Sequence, residues 1–170
     1  MKKILLSVAI VFFAGYAYAF QIQSDAFDDG AAIPSIYTCD SEDASPPLRW
    51  SDIPPMTKSF VLLCEDPDSP SKPWVHWVIF NIPASKSGLS QGVSTEAILA
   101  DGSVQGLNDF GKTGYGGPCP PPTGKHRYFF KIYALDTTLL LDVESTKDDV
   151  LKAMENHVLS QTETFGTYER

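Results

Sequence analysis

The chain has 170 residues, of which 43% are hydrophobic and 20% are charged, and its formal net charge at pH 7 is −8. Surfaces that bind nucleic acids or anionic membranes need clustered lysine and arginine side chains, so this acidic balance argues against both partners. An anionic ligand must therefore be held by a local site and not by the overall field of the protein.

The first nineteen residues are typical of an export signal. Two lysines precede an apolar run from Ile4 to Ala14, and an Ala-Tyr-Ala sequence ends at Ala19, which is the small-residue pattern that signal peptidase cleaves. A membrane anchor is the alternative, but the run is shorter than the ~20 residues that span a bilayer. We expect removal of residues 1–19, with no stable membrane insertion afterwards, and a single periplasmic or secreted domain over residues 20–170. The loss of two lysines changes the formal charge from −8 to −10.

Short apolar runs separated by proline and glycine indicate an all-β core in that domain. The predicted strands are Phe20–Ser24, Leu48–Trp50, Ser59–Glu65, Val75–Ile82 and Tyr128–Leu135. In the last of these, both alternating sets of side chains are mainly apolar, which indicates a central strand covered on both faces. The segment from Lys86 to Tyr115 contains six glycines and is predicted to be a long surface excursion.

One helix is predicted near the C-terminus. Ser145 or Thr146 is suited to cap it, two aspartates follow at its positive end, and apolar residues recur at helical spacing as far as Val158. The residues from Gly166 to Tyr168 are predicted to return as a short edge strand.

The three cysteines are Cys39, Cys64 and Cys119. An oxidising compartment permits one pair and leaves one thiol over. Cys64 lies in an apolar run, where a buried thiol behaves as a small hydrophobe, whereas the other two lie in loops rich in proline, glycine and polar residues. We predict a Cys39–Cys119 disulfide, with three free thiols as the alternative. The bridge would close a loop of about 80 residues and stabilise the fold by about 4 kcal/mol on the chain-entropy model.

Polar, proline-rich or glycine-rich loops lie at the ends of the predicted strands, and loops at one end of a sandwich can meet. Asp66 and Asp68 are two residues apart, so in an extended segment they point to the same face. Pro67 and Pro70 stiffen that segment, and both carboxylates could then aim at one spot. An ordinary turn with exposed aspartates is the alternative.

His76 and His126 are either satisfied core residues or parts of a site. A carboxylate that accepts a hydrogen bond from one imidazole nitrogen favours the charged ring, whose other N–H can then donate to an anion. Tyr128 should share a face with His126 and donate a phenolic hydrogen bond. Gly116 and Gly117 let the backbone approach a ligand and expose N–H groups; a flexible hairpin tip is the alternative.

Taken in order along the chain, DPDSP, the W-x-H pair, GGPCPPP and G-x-HRY resemble motifs of the phosphatidylethanolamine-binding protein family, and YTCDSEDASPPLRW and YGGPCPPP are similar to its bacterial branch. The resemblance implies a mainly β fold, with a large antiparallel sheet packed on a smaller one and few helices, and the capping residues and apolar spacing add one clear helix near the C-terminus. It also implies a small anion-binding pocket, which by motif match is lined by Asp66, Asp68, Pro70, Trp74, His76, Gly116, Gly117, Pro118, His126 and Tyr128. Members of the family bind phosphate, phosphoryl-ethanolamine or phosphotyrosine-like groups there, and many act by occupying kinases or proteases.

Together with the export signal, the resemblance implies an exported protein that binds a small anion or a phosphorylated ligand, without a cofactor or a metal, and that modulates a protein target. For an exported protein this target would be a secreted protease, a kinase-like protein or a host protein. A homodimer is compatible with the sequence. If a protonated histidine contacts the anion, affinity should fall as the pH rises through the titration range of imidazole.

Two other functions remain open. The histidines and aspartates could serve a hydrolase or a metal-dependent enzyme, although the sequence has no nucleophile elbow and no HExxH motif. Ser69 is a conceivable nucleophile, but the prolines on either side of it give no sign of an oxyanion-forming turn. A protein-interaction factor with a vestigial pocket is the third hypothesis.

Overall fold

The computed structural model of the protein describes residues 19–122 and 124–170, so residues 1–18 of the predicted export signal lie outside the described residues. The elements in chain order are β1 (Gln21–Ser24), a 3-10 turn (Ser35–Tyr37), β2 (Leu48–Ser51), β3 (Ser59–Asp66), β4 (Trp74–Pro83), β5 (Gly88–Leu89), β6 (Val104–Gln105), β7 (His126–Leu135), α1 (Lys147–Ala153) and β8 (Val158–Tyr168). In this part of the chain, no helix has the length and apolar character needed to cross a bilayer.

Two antiparallel sheets form the architecture. The smaller sheet has the order β1-β2-β5, and the larger has the order β6-β4-β3-β7-β8. Every pairing of neighbouring strands is antiparallel. The predicted mainly β fold, with a larger sheet on a smaller one and a helix near the C-terminus, is confirmed.

β3 lies at the centre of the larger sheet and is apolar on both faces. Phe60 and Leu62 belong to the core between the two sheets. Val61 and Leu63 belong to a second core on the opposite face, where Val150 of α1 and Leu139 cover the sheet. Because both faces of β3 are dry, the alternation of polar and apolar residues that marks a half-exposed strand is absent from its sequence.

The prediction that β7 is covered on both faces is wrong. Tyr128, Phe130 and Ile132 on one face are fully buried, whereas Phe129 and Lys131 on the other face remain partly exposed. The helix packs mainly against β4. Phe129 is sheltered instead by stacking on Phe165 of β8, with ring centroids 5.0 Å apart.

The helix begins as predicted and ends earlier than predicted. Thr146 caps it, and Thr146 and Asp149 exchange side-chain-to-backbone hydrogen bonds in a capping box. It ends at Ala153, and Val158 begins β8 instead of continuing the helix. β8 is eleven residues long and pairs with the whole of β7, so the short edge strand predicted from Gly166 was too short.

The segment 86–115 is more than a surface excursion. It contributes β5 and β6 to the two sheets, and the fully buried Gln105 accepts a hydrogen bond of 2.7 Å from the indole N–H of Trp77. The buried glutamine is satisfied because its amide N–H groups also donate to the carbonyls of Ser94 and Glu96.

A loop covers the outer edge of the last part of β8. The N–H of Gly30 donates to the carbonyl of Phe165 at 2.7 Å, and the N–H of Ile33 donates to the carbonyl of Thr167 at 2.8 Å. Thr167 in turn donates its N–H to the carbonyl of Ala31 at 2.8 Å. These bonds satisfy backbone groups that an edge strand would otherwise present to solvent.

Candidate functional site

A cavity of about 160 Å³ lies at the end of the larger sheet where β3 ends and where β4 and β7 begin. These three strand ends meet because β3 runs antiparallel to both neighbours. The cavity is lined by Asp66, Ser69, Pro70, Trp74, His76, Phe110, Cys119, Pro120, Pro121, His126 and Tyr128. Six of the ten residues that the family motifs single out therefore surround one space: Asp66, Pro70, Trp74, His76, His126 and Tyr128.

His126 and Asp66 form a buried pair across one wall of the cavity. Nδ1 of His126 lies 2.7 Å from Oδ2 of Asp66. The other carboxylate oxygen accepts a hydrogen bond of 2.8 Å from the backbone N–H of Asp68. Because an ionised carboxylate only accepts hydrogen bonds, Nδ1 of His126 carries a proton. The pairing therefore leaves Nε2 of His126 as the ring nitrogen available to a ligand.

His76 is held by the backbone and not by a carboxylate. Its Nδ1 donates to the carbonyl oxygen of Gly116 at 2.6 Å. Burial lowers the pKa of His76, although the Gly116 contact and the charge of Asp66 act in the opposite direction. Its ring meets that of Tyr128 edge to face, with centroids 5.1 Å apart. At neutral pH the His76 ring is therefore neutral, with its proton on Nδ1.

Tyr128 presents a buried hydroxyl group without a partner. The side chain is fully buried, and its Oη makes no hydrogen bond to any described residue. Burial, followed by the nearby charge of Asp66, raises the pKa of Tyr128 well above its ordinary value, so the hydroxyl remains a donor at physiological pH. A buried polar group in this condition costs about 1–3 kcal/mol, and a ligand oxygen in the cavity would remove that cost.

Asp68 does not line the cavity. Its carboxylate accepts hydrogen bonds from Arg127: 2.9 Å from Nε, 2.7 Å from Nη2 and 3.0 Å from the backbone N–H. The side-chain hydrogen bonds of Arg127 lower the pKa of Asp68. The expectation that both carboxylates aim at one spot is thus corrected, because Asp66 is the last residue of β3 and Asp68 already belongs to the following turn.

The N–H groups of Gly116 and Gly117 are not free for an anion. Gly116 donates to the carbonyl of His76 at 3.0 Å, and Gly117 donates to Oδ1 of Asp43 at 2.6 Å. The expectation of exposed glycine amides is therefore corrected. Gly117 is required for packing instead, since a Cβ there would lie 2.5 Å from the carbonyl oxygen of Tyr37.

Gly116 and Gly117 line a neighbouring cleft of about 710 Å³, which contains no histidine. Pro118 lines neither space, and its carbonyl accepts a hydrogen bond from the N–H of Cys39 at 3.1 Å. The glycine segment therefore acts behind the cavity wall, where the Gly116 carbonyl orients His76.

The structure contains the predicted disulfide between Cys39 and Cys119, with Cα atoms 5.5 Å apart. Cys64 is free and buried. Cys119 itself lines the cavity, so the bridge ties one cavity wall to the loop that follows the 3-10 turn. The sequence predicts the pair but not its position beside the cavity.

Sequence reasoning also missed Phe110, Pro120 and Pro121. Phe110 comes from the segment 86–115, and its ring packs edge to face against those of Trp74 and His76, at 5.5 and 5.4 Å between centroids. Nothing in the sequence around it distinguishes this phenylalanine from one in a surface loop. The two prolines come directly after Cys119 in the sequence. Their restricted backbone was the only sequence signal that this segment could form a rigid wall of the cavity.

The chemistry of the cavity rests on hydrogen bonding. Within the described residues, no group of three or more His, Cys, Asp or Glu side chains is arranged to hold a metal ion. The residues that line the cavity offer a ligand the Tyr128 hydroxyl and the second ring nitrogens of two imidazoles. Ser69 and Trp74 also line it, with a hydroxyl and an indole N–H, and aromatic rings and prolines enclose the space. This set can bind and orient a small polar group.

The sequence model of the family described as phosphatidylethanolamine-binding protein matches residues 23–169. The chain belongs to this family. A UPF0098 protein from Methanothermobacter thermautotrophicus is 55% identical over 149 residues, which is 88% of this chain and 98% of the relative.

Solved structures of family members agree with the fold. Escherichia coli YbcL, described as a new member of the mammalian PEBP family, superposes with a TM-score of 0.83 at 33% identity and covers 90% of this chain and 99% of its own. A homolog of the phosphatidylethanolamine-binding protein from Chlamydia trachomatis gives a TM-score of 0.82 at 42% identity, with 89% and 98% covered. The predicted family membership is confirmed.

Proposed function

We propose that this member of the phosphatidylethanolamine-binding protein family is an exported binding protein whose cavity holds the anionic group of a small phosphorylated ligand. The observation that carries the proposal is the unpartnered, buried hydroxyl of Tyr128 in a cavity shared with two imidazoles. A hydroxyl that is unsatisfied in the empty cavity gains a full hydrogen bond when an anionic oxygen enters.

The size of the cavity supports a small ligand group. Pockets for drug-sized molecules are about 300–1,000 Å³, whereas this cavity is about 160 Å³. A single phosphoryl group matches that volume better than a whole lipid or nucleotide. The remainder of the ligand would extend out of the cavity.

The buried Asp66 would repel an anion if it stood alone. Its pairing with His126 offsets this repulsion, and the protonated form of that ring would place a second donor at the ligand. His76 is held by a backbone carbonyl, so the contact between an anion and a carboxylate-paired imidazole would come from His126.

Export and the choice of partner rest on the sequence of the first nineteen residues. A protein that leaves the cytoplasm would meet a secreted protease or a host protein, and a phosphorylated group on such a partner would enter the cavity. Cell fractionation, together with the mass of the mature protein, would test this part. A full-length cytoplasmic product would contradict it.

Binding is tested by titrating O-phosphorylethanolamine and inorganic phosphate into the purified protein by calorimetry. Tyr128→Phe removes only the unpartnered hydroxyl, so we expect about tenfold weaker binding. Its free energy of unfolding should stay the same or rise by about 1 kcal/mol, because a buried unsatisfied group is lost.

Tyr133→Phe is the matched control. Tyr133 lies on the same strand, five residues away, and packs on the opposite face of the larger sheet. Its affinity for both probes should equal that of the unmodified protein. Absence of saturable binding by the unmodified protein would contradict the proposed function.

A further inference from the structure

The tautomer of His76 is fixed by its backbone contact. A carbonyl oxygen can only accept, so the 2.6 Å contact with Gly116 requires the proton to be on Nδ1. In the neutral ring, Nε2 then carries a lone pair and no hydrogen. Nε2 makes no hydrogen bond to the described part of the chain, and His76 lines the cavity.

The surroundings of the ring keep it neutral. His76 is almost fully buried, and the rings of Phe110 and Tyr128 pack against it edge to face. The carboxylates of Asp66 and Asp43 raise its pKa, but the larger effect of burial lowers it. His126 and the Tyr128 hydroxyl are the other titratable groups that share the cavity.

The cavity therefore presents donors and an acceptor to the same ligand group. The Tyr128 hydroxyl donates, and Nε2 of His126 donates when that ring is protonated. Nε2 of His76 accepts. A fully ionised tetrahedral anion has only lone pairs, so it would leave His76 facing an oxygen without a hydrogen between them. A phosphoryl group that retains one proton satisfies both kinds of partner.

We propose that His76 makes the cavity selective for anions that carry their own O–H donor, namely hydrogen phosphate and phosphate monoesters as monoanions. Sulfate and phosphodiesters lack that hydrogen and are disfavoured. This inference rests on the proposed function and specifies its ligand class. It implies that a phosphodiester, the linkage in an intact phospholipid headgroup, binds more weakly than the corresponding monoester.

The test compares pairs of anions by calorimetry at pH 6, where about half of a phosphate monoester with a second pKa of about 6 carries its O–H hydrogen. Methyl phosphate and dimethyl phosphate differ in the O–H group, and inorganic phosphate and sulfate share a tetrahedral shape. We expect the anion with the O–H donor to bind about tenfold more tightly in each pair, which is the effect of one hydrogen bond to a charged group.

The outcomes separate the two proposals. Equal affinities within each pair would overturn the selectivity and leave the proposed function standing. Binding of none of the four anions would overturn both. Tighter binding of dimethyl phosphate than of methyl phosphate would show that binding does not need a ligand O–H that donates to His76. This result would also overturn the inference.

His76→Gln examines the residue directly. A glutamine amide can turn either its oxygen or its NH₂ group toward the ligand, so the preference for phosphate over sulfate should fall below about threefold. His157→Gln is the control. His157 is partly exposed and pairs with Asp136, just beyond the last residue of β7, whereas the cavity lies where β7 begins. It should keep the full preference.

A spectroscopic measurement covers the case in which the His76 variant fails to fold. In the unmodified protein, long-range ¹H–¹⁵N NMR spectra of the histidine rings distinguish the Nδ1–H form from the Nε2–H form. The inference requires the Nδ1–H form for His76 between pH 6 and 7. An Nε2–H ring, or a doubly protonated ring, would overturn it.

Discussion

β7 has a histidine–aspartate pair at each of its ends, and the two pairs differ in their surroundings more than in their contacts. At its start, His126 lies 2.7 Å from Asp66; just beyond its last residue, Asp136 lies 2.8 Å from His157. The side chains of the first pair are 9% and 6% exposed, and those of the second are both 45% exposed.

The comparison shows that two pairs with nearly equal contact distances can have very different surroundings. The exposed pair is solvated and screened by salt, so it contributes little to stability. The buried pair fixes a ring against the cavity, and the second oxygen of Asp66 is held by the N–H of Asp68. The buried pair lines the same cavity as Tyr128, whose hydroxyl has no partner among the described residues.

The largest expected effect comes from breaking the buried pair with Asp66→Asn. The asparagine has one acceptor oxygen where the carboxylate has two, so either His126 or the N–H of Asp68 loses its partner. We expect the free energy of unfolding to fall by about 2–3 kcal/mol and phosphate affinity to fall more than about tenfold. Urea denaturation and calorimetry measure the two quantities.

Asp136→Asn makes the same substitution in the exposed pair. It should change the free energy of unfolding by at most about 0.5 kcal/mol and leave phosphate affinity unaltered. Equal losses in the two variants would show that burial does not distinguish the pairs, and the comparison would fail.

An intermediate effect on the free energy of unfolding is expected from His76. This buried imidazole has a backbone carbonyl as its partner and not a carboxylate. Its pKa is lowered in the folded protein by burial, whereas the unfolded ring titrates near about 6.5. The unfolded chain therefore takes up the proton first as the pH falls. The corresponding stability is present above about pH 6.5 and is lost as the pH decreases through the folded value.

Urea denaturation at pH 7.5, 6 and 5 would measure this loss. The pH dependence of the unmodified protein should be steeper than that of His76→Gln. Parallel curves for the two proteins would show that His76 does not contribute in this range.

The smallest effect is expected from Asp68→Asn. Asp68 pairs with the exposed Arg127 outside the cavity, so phosphate affinity should change by less than about twofold. The lowered pKa of Asp68 means that its small contribution to stability is present above about pH 4 and is lost in acid. A loss of binding comparable with that of Asp66→Asn would contradict the assignment of Asp68 to the outer surface.

Local sequence patterns predicted most strands and the helix. They did not predict features that depend on pairing between residues distant in the sequence. The five predicted strands are present, because their apolar composition and flanking prolines are local signals. The full length of β8 was missed, since its first residues are mostly polar and exposed and are held in the sheet only by pairing with β7. The helix was predicted to continue to Val158 because the apolar spacing fits a helix, whereas pairing with β7 places Val158 in β8.

Within the candidate site, residue types were more predictable than their roles. The motifs identified His76, His126, Tyr128 and Asp66, which share one cavity. The partners that decide their chemistry lie 40 to 60 residues away in sequence: Gly116 for His76 and Asp66 for His126. No local periodicity specifies such contacts, and the occupied amides of Gly116 and Gly117 were missed for that reason.

The hydrogen bonds between residues 29–33 and β8 have a practical consequence for anyone who shortens this protein. A truncation that begins after residue 33 would remove β1 and would strip the cover from the backbone of Phe165 and Thr167. The larger sheet would then offer a bare strand to a neighbouring molecule, which is a route to open-ended polymerisation. We therefore expect the N-terminal loop to reduce aggregation through this edge, and shortened versions of the protein should retain it.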